Sequence, residues 1–196
     1  VSLAVARAAA KAAKQELYLY LADTYGFGGP RLPVPIFNVF NGGKHADTNL
    51  DFQEFLVIPA RATAPEMIRC GAEVFHELGE VLKESGYDTD TGSEGGYAPD
   101  LDSSIEAIEM IMAAALRAGY KPGRDFQLGI DVGSSVLYEQ ASGRYIFPLD
   151  QAYFRGSSLI GLYEQWLSKY PIAYIEDGLA EDEWDDWREL TAALGG

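Results

Sequence analysis

Phe126-Gln127-Leu128-Gly129-Ile130-Asp131-Val132 and Pro171-Ile172-Ala173-Tyr174-Ile175-Glu176 are apolar runs of strand length, each with an acid at its C-terminal end. Runs of this kind suit strands buried on both faces. A helical pattern at Ser158–Lys169 lies between them, and another at Glu181–Leu194 follows. From residue 87 onward the order is loop, helix, strand, helix, strand, helix. That alternation indicates parallel βαβ units. In a (β/α) barrel the C-terminal edge of the strands carries the active site. Asp131 and Glu176 stand at that edge, where burying an acid is costly unless it is paired or binds metal. Hard oxygen ligands on adjacent strand ends suit Mg2+. Each acid could equally cap the loop after it or pair with a buried Lys or Arg, and spacing alone leaves both readings open.

Upstream, Ile36–Phe40 reads as a strand broken by Asn41-Gly42-Gly43, and Phe52–Ile58 as a second one closed by Pro59. Thr63 and Glu66 form a capping box, with Pro65 in the first turn. The helix behind it sets Met67, Gly71, Val74, Phe75, Leu78 and Leu82 at helical spacing and ends near Gly86. Ser103 with Glu106 reads as a second box, opening a helix lined by Ile105, Ile108, Met112 and Leu116 and ended by Gly119. Gly143–Phe147 reads as a turn and short extended piece. At the N-terminal end, residues 2–24 predict one helix stopped by Gly26. The Gly- and Pro-rich stretch 26–33 is the one plausible domain boundary. It separates a helical segment and linker (1–30) from the remainder (31–196).

The chain has 196 residues, with hydrophobic residues at 47% and charged residues at 23%, so it is not a disordered chain. Asp and Glu number 30 against 15 Lys and Arg, a formal net charge of -15. Such a surface repels phosphate backbones and anionic lipid, which argues against nucleic-acid and membrane partners. An anionic substrate would need a local attractor, most simply a metal ion. One cysteine, Cys70, excludes an intrachain disulfide and a cysteine-rich zinc site, and fits a reducing cytoplasmic compartment. No run reaches the roughly 18 apolar residues of a membrane span, and no signal-peptide layout opens the chain. Val1 begins inside a helical pattern without a starting Met, and Gly196 follows a helix directly, so both ends read as cuts.

Three further residues are candidates for chemistry. Glu94 lies in Thr91-Gly92-Ser93-Glu94-Gly95-Gly96-Tyr97-Ala98-Pro99, where flanking glycines let the backbone approach a ligand. A carboxylate there is either a general acid or base or a solvated turn residue. His45, after Asn41-Gly42-Gly43-Lys44, suggests a mobile flap over an anion, or an ordinary surface loop. Glu54, the one charge inside Phe52–Ile58, is either functional or paired. His76, inside a helix, reads as structural. The eight acids of Glu176–Glu189 read mostly as a solvated helix face and its entry turn. Gly26-Phe27-Gly28 is no dinucleotide fingerprint, and Ser134-Ser135 has no nucleophile elbow around it.

The chain resembles enolase in several long motifs, in the family's order. These are Asn38-Val39-Phe40-Asn41-Gly42-Gly43-Lys44-His45-Ala46-Asp47, Asp51-Phe52-Gln53-Glu54-Phe55, Gly92 to Pro99, Leu128 to Asp131, and Tyr170 to Glu181. The resemblance implies an α/β fold, a partial enolase-type (β/α) barrel after a short helical piece of an α+β domain. It also implies a lyase of glycolysis (phosphopyruvate hydratase, EC 4.2.1.11) that dehydrates 2-phosphoglycerate with Mg2+. By resemblance Asp131 and Glu176 are two of three carboxylates on the tighter metal. Glu94 and Glu54 are the acidic pair near the leaving hydroxyl, with Glu94 as general acid, and His45 is the flap histidine over the substrate. The family also implies a dimer or larger assembly, cytoplasmic and at times at the cell surface.

An enolase subunit is roughly twice this length. The third metal aspartate, the lysine base with its His-Arg-Ser segment, a second lysine and a serine loop of the N-terminal domain have no match in these residues. The resemblance therefore implies a chain inactive by itself, and a half barrel with open strand edges prone to insolubility or reliance on a partner. Two positions depart from the family pattern: Ser93 stands where Asp is usual, and Val136 where Glu is usual. The alternatives are another enzyme of the same superfamily and a non-catalytic, truncated enolase acting as a binding protein.

Overall fold

Lys14 divides the N-terminal segment. Ser2–Ala12 (α1) and Leu17–Tyr25 (α2) are separate helices where the sequence predicts one. Lys14 takes φ 55°. Its N–H donates to the Lys11 carbonyl at 3.1 Å and that of Gln15 to the Ala10 carbonyl at 3.0 Å, which is a Schellman stop. The left-handed position usually held by Gly is held here by Lys, so composition gives no sign of it. The computed structural model describes residues 1–195, in two compact units, Val1–Pro33 and Val34–Gly196. The first unit is α1 and α2.

The second unit opens with two strands, Phe37–Asn41 (β1) and Glu54–Pro59 (β2). Two helices follow, Ala64–Ser85 (α3) and Ser104–Arg117 (α4), and then the strand Phe126–Asp131 (β3). Next come a single turn Ser134–Leu137 (α5) and three short strands, Tyr138–Glu139 (β4), Arg144–Phe147 (β5) and Ala152–Phe154 (β6). Gly156–Lys169 (α6), Ile172–Glu176 (β7) and Trp184–Leu194 (α7) complete it. The main sheet has the order β1-β2-β3-β7, open among the described residues, and β4-β5-β6 form a second, antiparallel sheet. β3 and β7 are parallel, joined through α6, which is the βαβ unit read from the sequence. The β1–β2 and β2–β3 junctions are antiparallel. Between β1 and β2 a loop alone reverses the chain; between β2 and β3, α3 carries the chain back along the sheet and α4 carries it out again, so β3 starts from the end where β2 finished. The architecture is mixed α/β and fits part of an enolase-type barrel.

The Thr63 capping box forms in full: the Glu66 N–H donates to Thr63 Oγ1 at 3.4 Å, and the Thr63 N–H to Glu66 Oε2 at 3.2 Å. The Ser103 box is half made. Ser103 Oγ accepts from the Glu106 N–H, but the Glu106 carboxylate turns to the Asp102 N–H (2.8 Å) and the Tyr87 hydroxyl (3.0 Å). The core centres on Phe52, whose ring lies 5.6 Å from Phe55 and 5.3 Å from both Phe147 and Trp166. One cluster thereby ties β2 to β5 and α6.

α3 lies close over β1 because position 71 has no side chain: a Cβ there would run into the Phe37 ring. Gly71→Ala is expected to cost about 1–3 kcal/mol, as overpacked cores do, read as a lower urea midpoint. An unchanged midpoint would show that the ring yields freely. Among the described residues no helix is long and apolar enough to cross a membrane.

Candidate active site and metal centre

Strand register builds the site. Asn41 pairs with Glu54 across β1–β2, Glu54 with Asp131 across β2–β3, and Asp131 with Glu176 across β3–β7. Directly paired residues project from the same face, so four polar side chains form one rank at one edge of the sheet. Three of the four are acids. Asp131 is 7% exposed, and its Oδ1 accepts from the Gly133 N–H at 3.1 Å. Glu176 is exposed, with Oε2 accepting from the Tyr174 hydroxyl at 3.1 Å.

Two loops close over the rank. The first joins β1 to β2 and is shaped by Gly42 N–H to Gln53 O (2.9 Å) and Gly43 N–H to Leu50 O (2.8 Å). It brings His45 Nδ1 to 3.1 Å from Glu54 Oε1 and 3.9 Å from Glu94 Oε1. The second loop carries Glu94. Gly92 N–H meets Gly96 O at 2.8 Å, which folds the loop on itself, and Tyr97 N–H to Val39 O (2.9 Å) docks it on β1. That docking falls at the bulge where the β1–β2 register shifts between Asn38 and Phe40, a device that re-aims an edge strand.

The loops are also bonded to each other. Ser93 gives both its N–H and its hydroxyl to the His45 carbonyl, each at 3.0 Å. Asn49 and Leu101 exchange two hydrogen bonds of 2.7 and 2.9 Å, and the Asn49 N–H meets Asp100 Oδ1 at 2.9 Å. The sequence suggested a mobile flap or an ordinary surface loop at His45; in the structure this segment is bonded to the Glu94 loop. Ser93, one of the two departures from the family pattern, forms part of the tie. Val136, the other, is 47% exposed on α5.

The rank is electrostatically strained. Burial raises Glu54 from the ordinary glutamate range to about 7, the adjacent Glu94 carboxylate and Asp131 push the same way, and His45 opposes them. Burial also raises Asp131 to about 6, with Glu176 and Asp177 adding and the Gly133 N–H opposing. One ligand atom each from His45, Glu54 and Asp131 falls within 4.8 Å of the others. Converging carboxylate oxygens that repel one another are a donor set suited to a hard divalent cation. Glu176 stands next in the rank, outside that tight trio. His76, by contrast, is exposed on α3 with its ring edge against Phe75, and does not join the site. Reading the sequence missed Gln53, whose side chain packs against Gly43 and Gly133 beneath the flap. Its place directly before Glu54 was the available signal.

These shifts fix a pH dependence. Both are upward, so each group's contribution to stability is fullest at acid pH and is lost as pH climbs through about 6 for Asp131 and about 7 for Glu54. A cation held by Asp131 needs its ionised form. Calorimetry is expected to show Mg2+ affinity rising from about pH 5.5 to about 7.5, with protons released on binding. A flat affinity across that window would remove Asp131 as a ligand.

The family model described as "Enolase, C-terminal TIM barrel domain" matches residues 30–196.

Proposed function

Because the chain belongs to the family of enolase C-terminal TIM barrel domains, whose superfamily works with divalent cations, we propose that it is part of an enolase dehydrating 2-phosphoglycerate to phosphoenolpyruvate. The observation that carries the reading is the meeting of His45, Glu54 and Asp131 within 4.8 Å, with Glu94 Oε1 at 3.9 Å from the same histidine nitrogen. Proton removal beside the substrate carboxylate builds up two negative charges, and hydroxide must then leave from the neighbouring carbon. Asp131 and Glu176 would hold Mg2+, which neutralises the charge on that carboxylate.

On the other side of the substrate, Glu94 gives a proton to the departing hydroxyl, so that it leaves as water. Glu54, raised to about 7, keeps a proton available beside Glu94 near neutral pH. His45 spends Nδ1 on Glu54 at 3.1 Å, which leaves Nε2 for a substrate oxygen. The lysine base that the family uses has no counterpart among these 196 residues, so proton abstraction is assigned to none of them.

The test is Mg2+-dependent growth of ultraviolet absorbance from phosphoenolpyruvate when the protein carrying this chain meets 2-phosphoglycerate. Absence of product with Mg2+ bound would overturn the reading in favour of another superfamily reaction.

A further inference from the structure

We propose that Asn41 is a positioning residue for Glu94, an inference that rests on the enolase reading above. Asn41 ends β1 and is fully buried at 0% exposure. It grips the Glu94 loop at three points. Its backbone N–H donates to the Tyr97 carbonyl at 2.8 Å. Its Oδ1 accepts from the Gly96 N–H at 2.9 Å. Its side chain fills the space under Gly92, where a Cβ would come within 2.6 Å of Asn41 Cβ. Gly92 and Gly96 are the two ends of the turn that lifts Glu94, so one side chain holds both.

The same residue pairs with Glu54 across β1–β2. Asn41 thus fixes the height of the Glu94 turn against the carboxylate rank. Oδ1 facing Gly96 sets the orientation of the amide, and this leaves Nδ2 buried with no acceptor among the described residues. An apolar residue of this size would avoid that cost but would leave Gly96 without its acceptor. Retaining the amide here trades packing stability for a fixed loop.

Misplacing a reacting group by about 1 Å can cost ~100-fold in rate. In the protein carrying this chain, Asn41→Ala is expected to lower kcat by roughly 30- to 100-fold, with KM for 2-phosphoglycerate and Mg2+ affinity within about threefold. Hydrogen exchange of the 92–97 amides should quicken at least about tenfold while the α3 amides stay protected. Asn41→Asp retains an acceptor for Gly96 and should keep those amides slow. Ile108→Ala, a buried change in α4, supplies a destabilised control whose kcat should hold. If Asn41→Ala does not fold, Asn41→Ser is read in the same way. Unchanged exchange at 92–97, or a kcat loss matched by Ile108→Ala, overturns the proposal. Lack of dehydration by the unaltered protein defeats the enolase reading instead, while the exchange result still decides whether Asn41 holds the loop.

Discussion

Glu94→Gln should lower kcat by roughly 10²- to 10⁴-fold, the range spanned by general acids and bases, with KM for 2-phosphoglycerate nearly unchanged. Gln keeps the size and polarity of the side chain and removes its transferable proton and its charge. The Glu94 side chain is 52% exposed, and its Oε1 lies 3.9 Å from His45 Nδ1. Surface changes of that kind usually stay within about ±0.5 kcal/mol. The melting temperature should therefore stay put, or rise slightly as the repulsion of Glu54 is relieved, while the rate collapses, and that separation assigns the loss to chemistry. The variant has a second signature. Glu94 is the largest cause after burial of the raised Glu54 pKa, so Glu54 should return part of the way toward the ordinary glutamate range, as a carboxyl-carbon NMR titration would show. A Glu94→Gln protein that turns over at the parent rate would strip Glu94 of the acid role.

Asp131→Asn carries the other large expectation, with opposite signs for binding and stability. The amide retains an oxygen for the Gly133 N–H, at 3.1 Å in the parent, so the turn after β3 survives. What disappears is the charge at the centre of the rank. Loss of groups that merely support a metal ligand costs about 10- to 100-fold in affinity, and loss of this carboxylate should cost at least ~100-fold in Mg2+ affinity by calorimetry. Without metal, the ionised Asp131 is disfavoured by burial and by Glu176. The variant should then unfold at an equal or higher urea concentration than the parent near pH 7.5, the stability–activity trade-off common at functional sites. A metal-free variant clearly weaker than the parent would mean that Asp131 earns its place structurally.

The parts of this fold that local chemistry dictates were legible in the sequence. Thr63, Pro65 and Glu66 announced α3, and Gly86 with φ 86° closed it where expected. The apolar runs before Asp131 and Glu176 gave β3 and β7 and their parallel pairing. The failures are equally local. Lys14 in a left-handed stop hid the break between α1 and α2, because nothing in a lysine signals that conformation. The Glu106 carboxylate turned from the Ser103 N–H to Asp102 and Tyr87, a choice that depends on a tyrosine from another segment. β4 and β6 are too short to show a periodicity. At the site, the types and order of His45, Glu54, Glu94, Asp131 and Glu176 could be read, but their registration could not. Only strand pairing sets Asn41, Glu54, Asp131 and Glu176 in a line, and that made a buried asparagine of the Asn-Gly-Gly break into a candidate in its own right.

The bonds from Ser93 to the His45 carbonyl, with the Asn49–Leu101 exchange beside them, make the two loops above the carboxylate rank a single unit. Two independent lids would pass through half-shut arrangements in which an anion could be captured beneath a histidine with no proton donor opposite. Laced together, neither loop can part from the other without breaking these bonds. Under the enolase reading, loops joined in this way would bring the Glu94 carboxyl and the His45 ring to a reactant together, which would make capture and readiness for reaction the same event.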